Sequence, residues 1–422
     1  MIPAVSACRT VLASAAAVRS ARKPIISEAA LILLLLGTAC GLVQAFSSGL
    51  VTAEMNEVAR NMVKGNGFAN PTSTGIETGP SAFVPPIYPY FMAGCSLLFG
   101  RVWSLVAIWT AAAVAYGAHA AMYPTLAEGL FGERRIGIWA GAFAAFLPFF
   151  WWYPSWDTIW TATAIVGLCA FWIKHRSHGM LGHFGVGSAA GLAFLLNPAS
   201  ALVLVPMPVF FRAGRWTKIA VFWAAMALTI SPWLIRNYVA LGACVVRTNF
   251  GVSLQASNNS CLAITQAAFN RSDCLMDHPT ASRSQALIMR NLGEVRYDRY
   301  KLHEAETWIL ANKTHFMQLT AFRIIQFWFP DPKYYPKPAI YLGMITLLSL
   351  CGLFQLRKRR ATIFLIFVLL SYPLMYYIIV ADPRYRVPIL WASLLLAGAF
   401  LNSRFRPPSP YTEGATRGSG AQ

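Results

Sequence analysis

The side chains with the greatest capacity for chemistry stand at the edges of long apolar runs. Glu54 and Glu57 follow the run 29–50 directly, one helical turn apart. Asp157 follows the aromatic cluster 151–156, and Arg236, Arg247, Arg384 and Arg386 stand near the ends of later apolar runs, with Tyr385 between the last two. A carboxylate at such a place can take a proton from an attacking hydroxyl. An arginine, always charged and planar, can grip phosphate oxygens in pairs. Together they suit a reaction at a bilayer surface on a substrate carrying phosphate. Each also has a plainer reading. Glu54 and Glu57 can be solvated acids favoured by a helix N-terminus, and the arginines can snorkel or meet ordinary lipid phosphates. Tyr88, in Pro85-Pro86-Ile87-Tyr88-Pro89, shapes a loop corner or touches substrate.

The elements that must position these groups follow from composition. The chain has 422 residues, of which 56% are hydrophobic and only 12% charged, against about a quarter charged in a soluble domain. Mean hydropathy is +0.49, which implies an all-α polytopic membrane protein. Ten candidate spans are read at 29–50, 102–127, 136–152, 158–173, 184–196, 199–211, 219–241, 340–356, 361–380 and 387–401, two of them short for a hydrocarbon core that needs about 20 residues. Lys and Arg collect in alternate gaps: before the first span, at Arg134 and Arg135, Lys174, Lys218, Arg357 to Arg360, and Arg404. The positive-inside rule makes those gaps cytoplasmic. Loops 51–86 and 242–337 then face outward, with 1–28 a cytoplasmic segment leading into an uncleaved anchor and 403–422 a disordered cytoplasmic tail after the membrane domain 29–402.

Placement at membrane flanks accounts for the formal net charge of +19, so no nucleic-acid partner is expected; the bilayer is. The eight cysteines show no zinc-ligand spacing, and His278, His303 and His315 read as surface or helix residues and not as metal ligands. Cys261 and Cys274 lie in the outer segment, where an oxidising exterior permits a bridge; the other reading leaves both free. No ligand set demands a metal or other cofactor, and a divalent metal held by acids or by a donor phosphate stays open. Gly65-Asn66-Gly67 is a turn signal, and Asn258-Asn259-Ser260 has the form of a glycosylation acceptor. Residues 282–329 carry apolar side chains at steps of mostly three and four, which predicts two or three helices on the membrane surface.

Four segments carry a resemblance: AEMNEVARNMVKGNGF at 53–68, TGPSAFVPPIYPYFMAG at 78–94, SPWLIRNYVALGACVVRTNFGVSLQASNN at 231–259, and GEVRYDRYKLHEAETWILANKTHFMQLTAFRIIQFW at 293–328. As a set they resemble the GT-C superfamily of polyprenyl-phosphate-sugar-dependent glycosyltransferases, in particular bacterial family 39-like proteins related to the protein O-mannosyltransferases and the aminoarabinose transferase of lipid A. The resemblance implies a GT-C bundle in a bacterial inner membrane with its active face periplasmic. It also implies an inverting transfer from a polyprenyl-phosphate-sugar donor to an extracytoplasmic glycan, lipid or protein acceptor. The family's first outer loop supplies an acidic base, often the first of an Asp-Glu pair. Val51 and Thr52 stand at that place here, and Glu54 is the nearest acid, with Glu57 after it. Arg384 and Arg386 match the family's late Arg-Tyr element and are the first-choice donor-phosphate contacts, followed by Arg236 and Arg247. Asp157, Tyr88 and Tyr385 are expected in the substrate pocket. A transporter or flippase of lipid-linked glycans is the rival reading, but it would place ionisable groups inside the spans; a non-catalytic relative of the GT-C proteins is the other.

Overall fold

The computed structural model describes residues 27–47, 54–147, 156–174, 179–211, 216–262, 278–280, 282–379 and 382–405. The N-terminal segment before Ser27, Val51 and Thr52, the 151–155 aromatics, Cys274 and the tail from 406 lie outside them. Every long element is helical, and among the described residues the extended structure amounts to one isolated bridge between Ala69 and Pro80.

The helices are α1 (Glu28–Ser47), α2 (Glu54–Val63), α3 (Ile87–Phe131), α4 (Arg134–Ala145), α5 (Thr158–Lys174), α6 (Met180–Leu196), α7 (Trp216–Leu241), α8 (Phe250–Ser257), α9 (Arg283–Leu292), α10 (Glu294–Ala311), α11 (Lys313–Trp328), α12 (Pro336–Leu356), α13 (Arg360–Ser371), α14 (Leu374–Ile378) and α15 (Val387–Arg404). Short helical turns fill 198–210 between α6 and α7. Six segments are long and apolar enough to cross a membrane: Glu28–Phe46, Ile87–Phe131, Trp216–Leu241, Pro336–Leu356, Arg360–Ile378 and Pro383–Arg404. Thr158–Lys174, Met180–Leu196 and Pro198–Phe210 are shorter apolar pieces. The protein is a multi-pass, all-α membrane protein; each of the ten sequence-derived spans overlaps helical structure, while 29–50, 136–152 and 361–380 run into residues outside those described.

One boundary differs from expectation by fifteen residues. The span placed at 102–127 belongs to a helix that begins at Ile87, because the segment before it is also helical and joins it through Gly100, at φ 71° and ψ 178°. Only glycine adopts that backbone without strain. The exposed Leu97, Leu98, Phe99, Val102 and Trp103 cluster at this break, an apolar surface suited to lipid.

α15 is the axis of the bundle. Its side chains are buried on every face, and it packs on α4, α5, α12 and α13. A helix apolar all round belongs inside a protein or a membrane, and α15 is inside both. Close approach to α12 is possible because Gly352 has no Cβ to meet the Leu396 carbonyl. Around this axis α1 packs on α3, α3 on α4 and α5, and α6 on α7.

A second core joins the two outer regions. Met55, Val58, Phe83, Tyr88, Val252, Met289 and Tyr297 share it. The residues from 282 to 328 form three helices, α9 to α11, the first capped by Ser282 whose hydroxyl accepts from the Gln285 N–H at 3.4 Å. Polar ties across the regions include the Ser73 hydroxyl donating to the Thr280 carbonyl at 2.8 Å and the Ala82 N–H donating to Glu294 Oε1 at 2.6 Å.

Candidate active site

Arg134, Lys174, Lys218, Arg357 to Arg360 and Arg404 stand at or next to helix termini, and none of them lines the principal cavity. That cavity, of about 600 Å³, is lined by six pieces of chain: Met55 of α2, Trp156 to Thr158 entering α5, Asn197 to Leu202 after α6, Val245 to Ser253 through α8, Tyr372 to Ile379 through α14, and Arg384, Tyr385 and Pro388 entering α15.

Two cations line it. Arg247 sits in the strap between α7 and α8, fixed where the Thr248 N–H donates to the Ala82 carbonyl at 3.0 Å. Its own Nε donates to the Phe83 carbonyl at 2.9 Å. Arg384 is presented by a 3₁₀ turn that Asp382 caps, its carboxylate accepting from the Arg384 N–H at 2.9 Å. The Arg384 guanidinium lies 4.1 Å from the centre of the Trp156 ring and its Nη2 donates to the Tyr385 hydroxyl at 3.1 Å. Stacking holds the cation flat, and its Nε lies 3.9 Å from the Asp382 carboxylate. Tyr385 in turn stacks on Tyr376, ring centres 4.5 Å apart.

One carboxylate lines the cavity among the described residues, that of Asp157, which is 5% exposed. Its Oδ2 accepts from Asn197 Nδ2 at 2.8 Å and from the Thr161 hydroxyl at 3.4 Å. Burial raises its affinity for a proton; the Asn197 hydrogen bond and the fields of Arg247 and Arg384 oppose that without cancelling it. Asn197 was not singled out from sequence. Its signal was its place before Pro198 at the end of an apolar run, where its Oδ1 caps the next turn by accepting from the Ala199 N–H at 3.0 Å.

The remaining sequence-derived candidates fall elsewhere. Arg236 donates to the Phe68 carbonyl at 2.8 Å and the Ser81 carbonyl at 2.6 Å, and covers the Phe68 and Trp233 rings. It staples the first outer loop to α7. Arg386 is 1% exposed, with Nη1 on the Trp328 and Leu342 carbonyls at 3.0 and 3.3 Å. Both arginines therefore stand apart from the cavity lining, their guanidinium groups held by backbone oxygens. Tyr88 is not at a loop corner but in the first turn of α3, packed against Phe91 and Trp160 and outside the cavity lining.

Glu54 opens α2 half-buried, and the next residue, Met55, reaches the cavity. Glu54 acts on His278, which is not a plain surface residue: it stands edge-on to Phe83, and burial lowers its proton affinity while Glu54 partly restores it. Glu57 pairs with Arg60 at 3.1 Å across one helical turn. Asn258 is fully buried with its amide engaged, so it cannot serve as a glycan acceptor in the folded chain. Cys261 is disulfide-bonded; its sequence-derived partner Cys274 lies outside the described residues. Among the described residues no group of three or more His, Cys, Asp or Glu side chains is arranged to hold a metal ion.

No protein-family model matches the chain, and no curated protein does. Solved structures do. Two of ArnT from Cupriavidus metallidurans, one bound to undecaprenyl phosphate and one in the apo state, align over 89% of this chain and 77% of theirs. Identity is 14% in both, with TM-scores of 0.41 and 0.40. A likeness at that level assigns no residue a role, so the chemistry has to be argued from the cavity itself.

Sequence reasoning also passed over Glu294. It is 4% exposed, and its Oε1 accepts from the Ala82 N–H and the Thr248 hydroxyl, the groups adjoining Phe83 and Arg247. Burial raises its pKa to about 7.

Proposed function

We propose that this chain is a GT-C type membrane glycosyltransferase that moves a sugar from a polyprenyl-phosphate donor to an acceptor on the outer face. The observation that carries the reading is the pairing of two arginines, Arg247 and Arg384, with one buried carboxylate, Asp157, in a cavity at the ends of the helices opposite the Lys- and Arg-rich loops. A polyprenyl phosphate keeps its tail in lipid and its headgroup at the surface, and in this reading the headgroup enters this cavity. The four motif segments and the span pattern support the same family; bacterial inner-membrane placement with a periplasmic active face follows from that resemblance and the charge bias.

In this reading the donor phosphate lies against Arg247 and Arg384. The acceptor oxygen attacks the anomeric carbon from the face opposite the phosphate. Asp157 takes the acceptor's proton as the new glycosidic bond forms, and the bond from sugar to phosphate oxygen breaks with its electron pair passing to the phosphate. The arginines stabilise that charge, and the configuration inverts. The leaving group needs no strong acid. Glu54 is the second reading for the base, favoured by Met55 beside it in the cavity wall and by the family's use of a first-loop acid. Glu57, tied to Arg60, is the lesser of the two first-loop acids.

The test is transfer of radiolabelled sugar from a panel of polyprenyl-phosphate donors to membrane extract by wild type, Asp157→Asn and Glu54→Gln, each with and without chelator. Loss of transfer in one variant, with melting unchanged, identifies the base. No transfer by wild type from any donor removes the enzyme reading; loss on chelation adds a divalent metal to it.

A further inference from the structure

Arg323 lies on α11, is 3% exposed and takes no part in lining the cavity. Burying a cation is costly unless its surroundings repay the lost hydration. Here the surroundings are three oxygens from two distant parts of the chain. Nη2 donates to the Ser257 carbonyl, and Nη1 to Asn258 Oδ1 at 3.1 Å and the Ile378 carbonyl at 3.2 Å. Ser257 is the last residue of α8 and Ile378 the last of α14. The final carbonyls of a helix lack partners within it and carry the negative end of its dipole. Arg323 thus meets two helix C-termini at once, and the planar fork of a guanidinium is what lets one side chain do so. Asn258 completes the joint, its Nδ2 donating to the Leu254 carbonyl at 2.8 Å and the Ile378 carbonyl at 2.9 Å. Burial lowers the Arg323 pKa to about 10, which leaves it charged at neutral pH.

The two clamped helices are two walls of the cavity. α8 contributes Phe250 and Ser253; the α14 side contributes Met375, Tyr376 and Ile379. We propose that Arg323 is a positioning residue that sets the spacing of these walls by capping α8 and α14 together, and so controls how tightly the cavity closes on a phosphate-bearing lipid. The binding half of this statement rests on the function proposed above; the mechanical half does not.

The test uses wild type, Arg323→Gln and Arg323→Lys in lipid nanodiscs, with two readouts. Amide hydrogen exchange reports peptides covering 250–258 and 374–379, and equilibrium binding is measured with a radiolabelled polyprenyl phosphate. Lysine keeps the charge but presents one compact ammonium, so this variant keeps the fold accessible if glutamine does not. The expected result is exchange at least tenfold faster in both peptides and not elsewhere, with affinity for the lipid about tenfold weaker and protection regained as lipid is added. Unchanged exchange in either peptide overturns the clamp. Faster exchange with wild-type affinity overturns its control of the cavity. Failure of wild type to bind the lipid overturns the proposed function, while the exchange readout still decides for or against the clamp.

Discussion

Five arginines in or near the cavity's walls fall into two groups that sequence does not separate. Arg247 and Arg384 lean on a carbonyl, an aromatic ring, a phenol and the Asp382 carboxylate, and both line the cavity. Arg236, Arg323 and Arg386 lie apart from that cavity and are held by carbonyl oxygens of the chain. Those committed to backbone oxygens have exchanged water for the protein itself and act on stability. Those lining the cavity stand beside the space that the proposed donor phosphate would fill.

Replacing Arg247 and Arg384 together by alanine is the strongest way to break this contrast. Transfer, or lipid binding, should fall by about a thousandfold, as for loss of preorganised donors at a developing anion, with little change in melting. Near-wild-type activity would place the ligand elsewhere. The converse is Arg386→Ala, which strips two carbonyls of their partner and opens a void. It should cost about 3 kcal/mol of stability by thermal unfolding in detergent; a shift under 1 kcal/mol would show that water replaces the guanidinium.

How far these roles were readable can be judged from particular residues. The helices were legible because hydropathy acts locally, and α9 to α11 because their apolar side chains recur at helical steps. Asp157 and Tyr385 were legible as span-end residues. Arg384 and Arg386 were not separable, since two residues along a 3₁₀ turn point in widely different directions and only the packing of α12 says which one is enclosed. Tyr88 read as a corner because prolines flank it, yet Pro86 and Pro89 are tolerated at the start of a helix. Glu294 and Arg323 lay within a quoted motif, but their burial depends on elements distant in sequence: the Ala82 and Thr248 strands of loop for one, α8 and α14 for the other.

Proton linkage sharpens the contrast from the carboxylate side. Burial raises the Glu294 pKa from 4.5 to about 7, so the folded chain holds a proton that the unfolded chain has released. That contribution is fully present below the unfolded value and is lost as pH rises through the folded one. Stability from this group should fall by roughly 2 kcal/mol between pH 5 and 7. Glu294→Gln should remove the slope, measured as the pH dependence of the melting temperature; an identical slope in the variant would assign it to other groups. For Asp157, raised by burial, the rising limb of the transfer rate should sit above the ordinary aspartate range and vanish in Asp157→Asn, unless Glu54 is the base. The smallest effect is expected from Glu57→Gln, whose ion pair with a largely exposed Arg60 is worth under about 0.5 kcal/mol and should leave melting unchanged within error.

The enclosed position of α15 has a consequence for biosynthesis. Every described helix that surrounds it precedes it in the chain, so the ribosome makes this axis after its sheath. Arg384 and Tyr385 arrive with it. A nascent chain that has threaded only the described helices before α15 therefore still lacks one wall of the cavity, and insertion of α15 completes its lining.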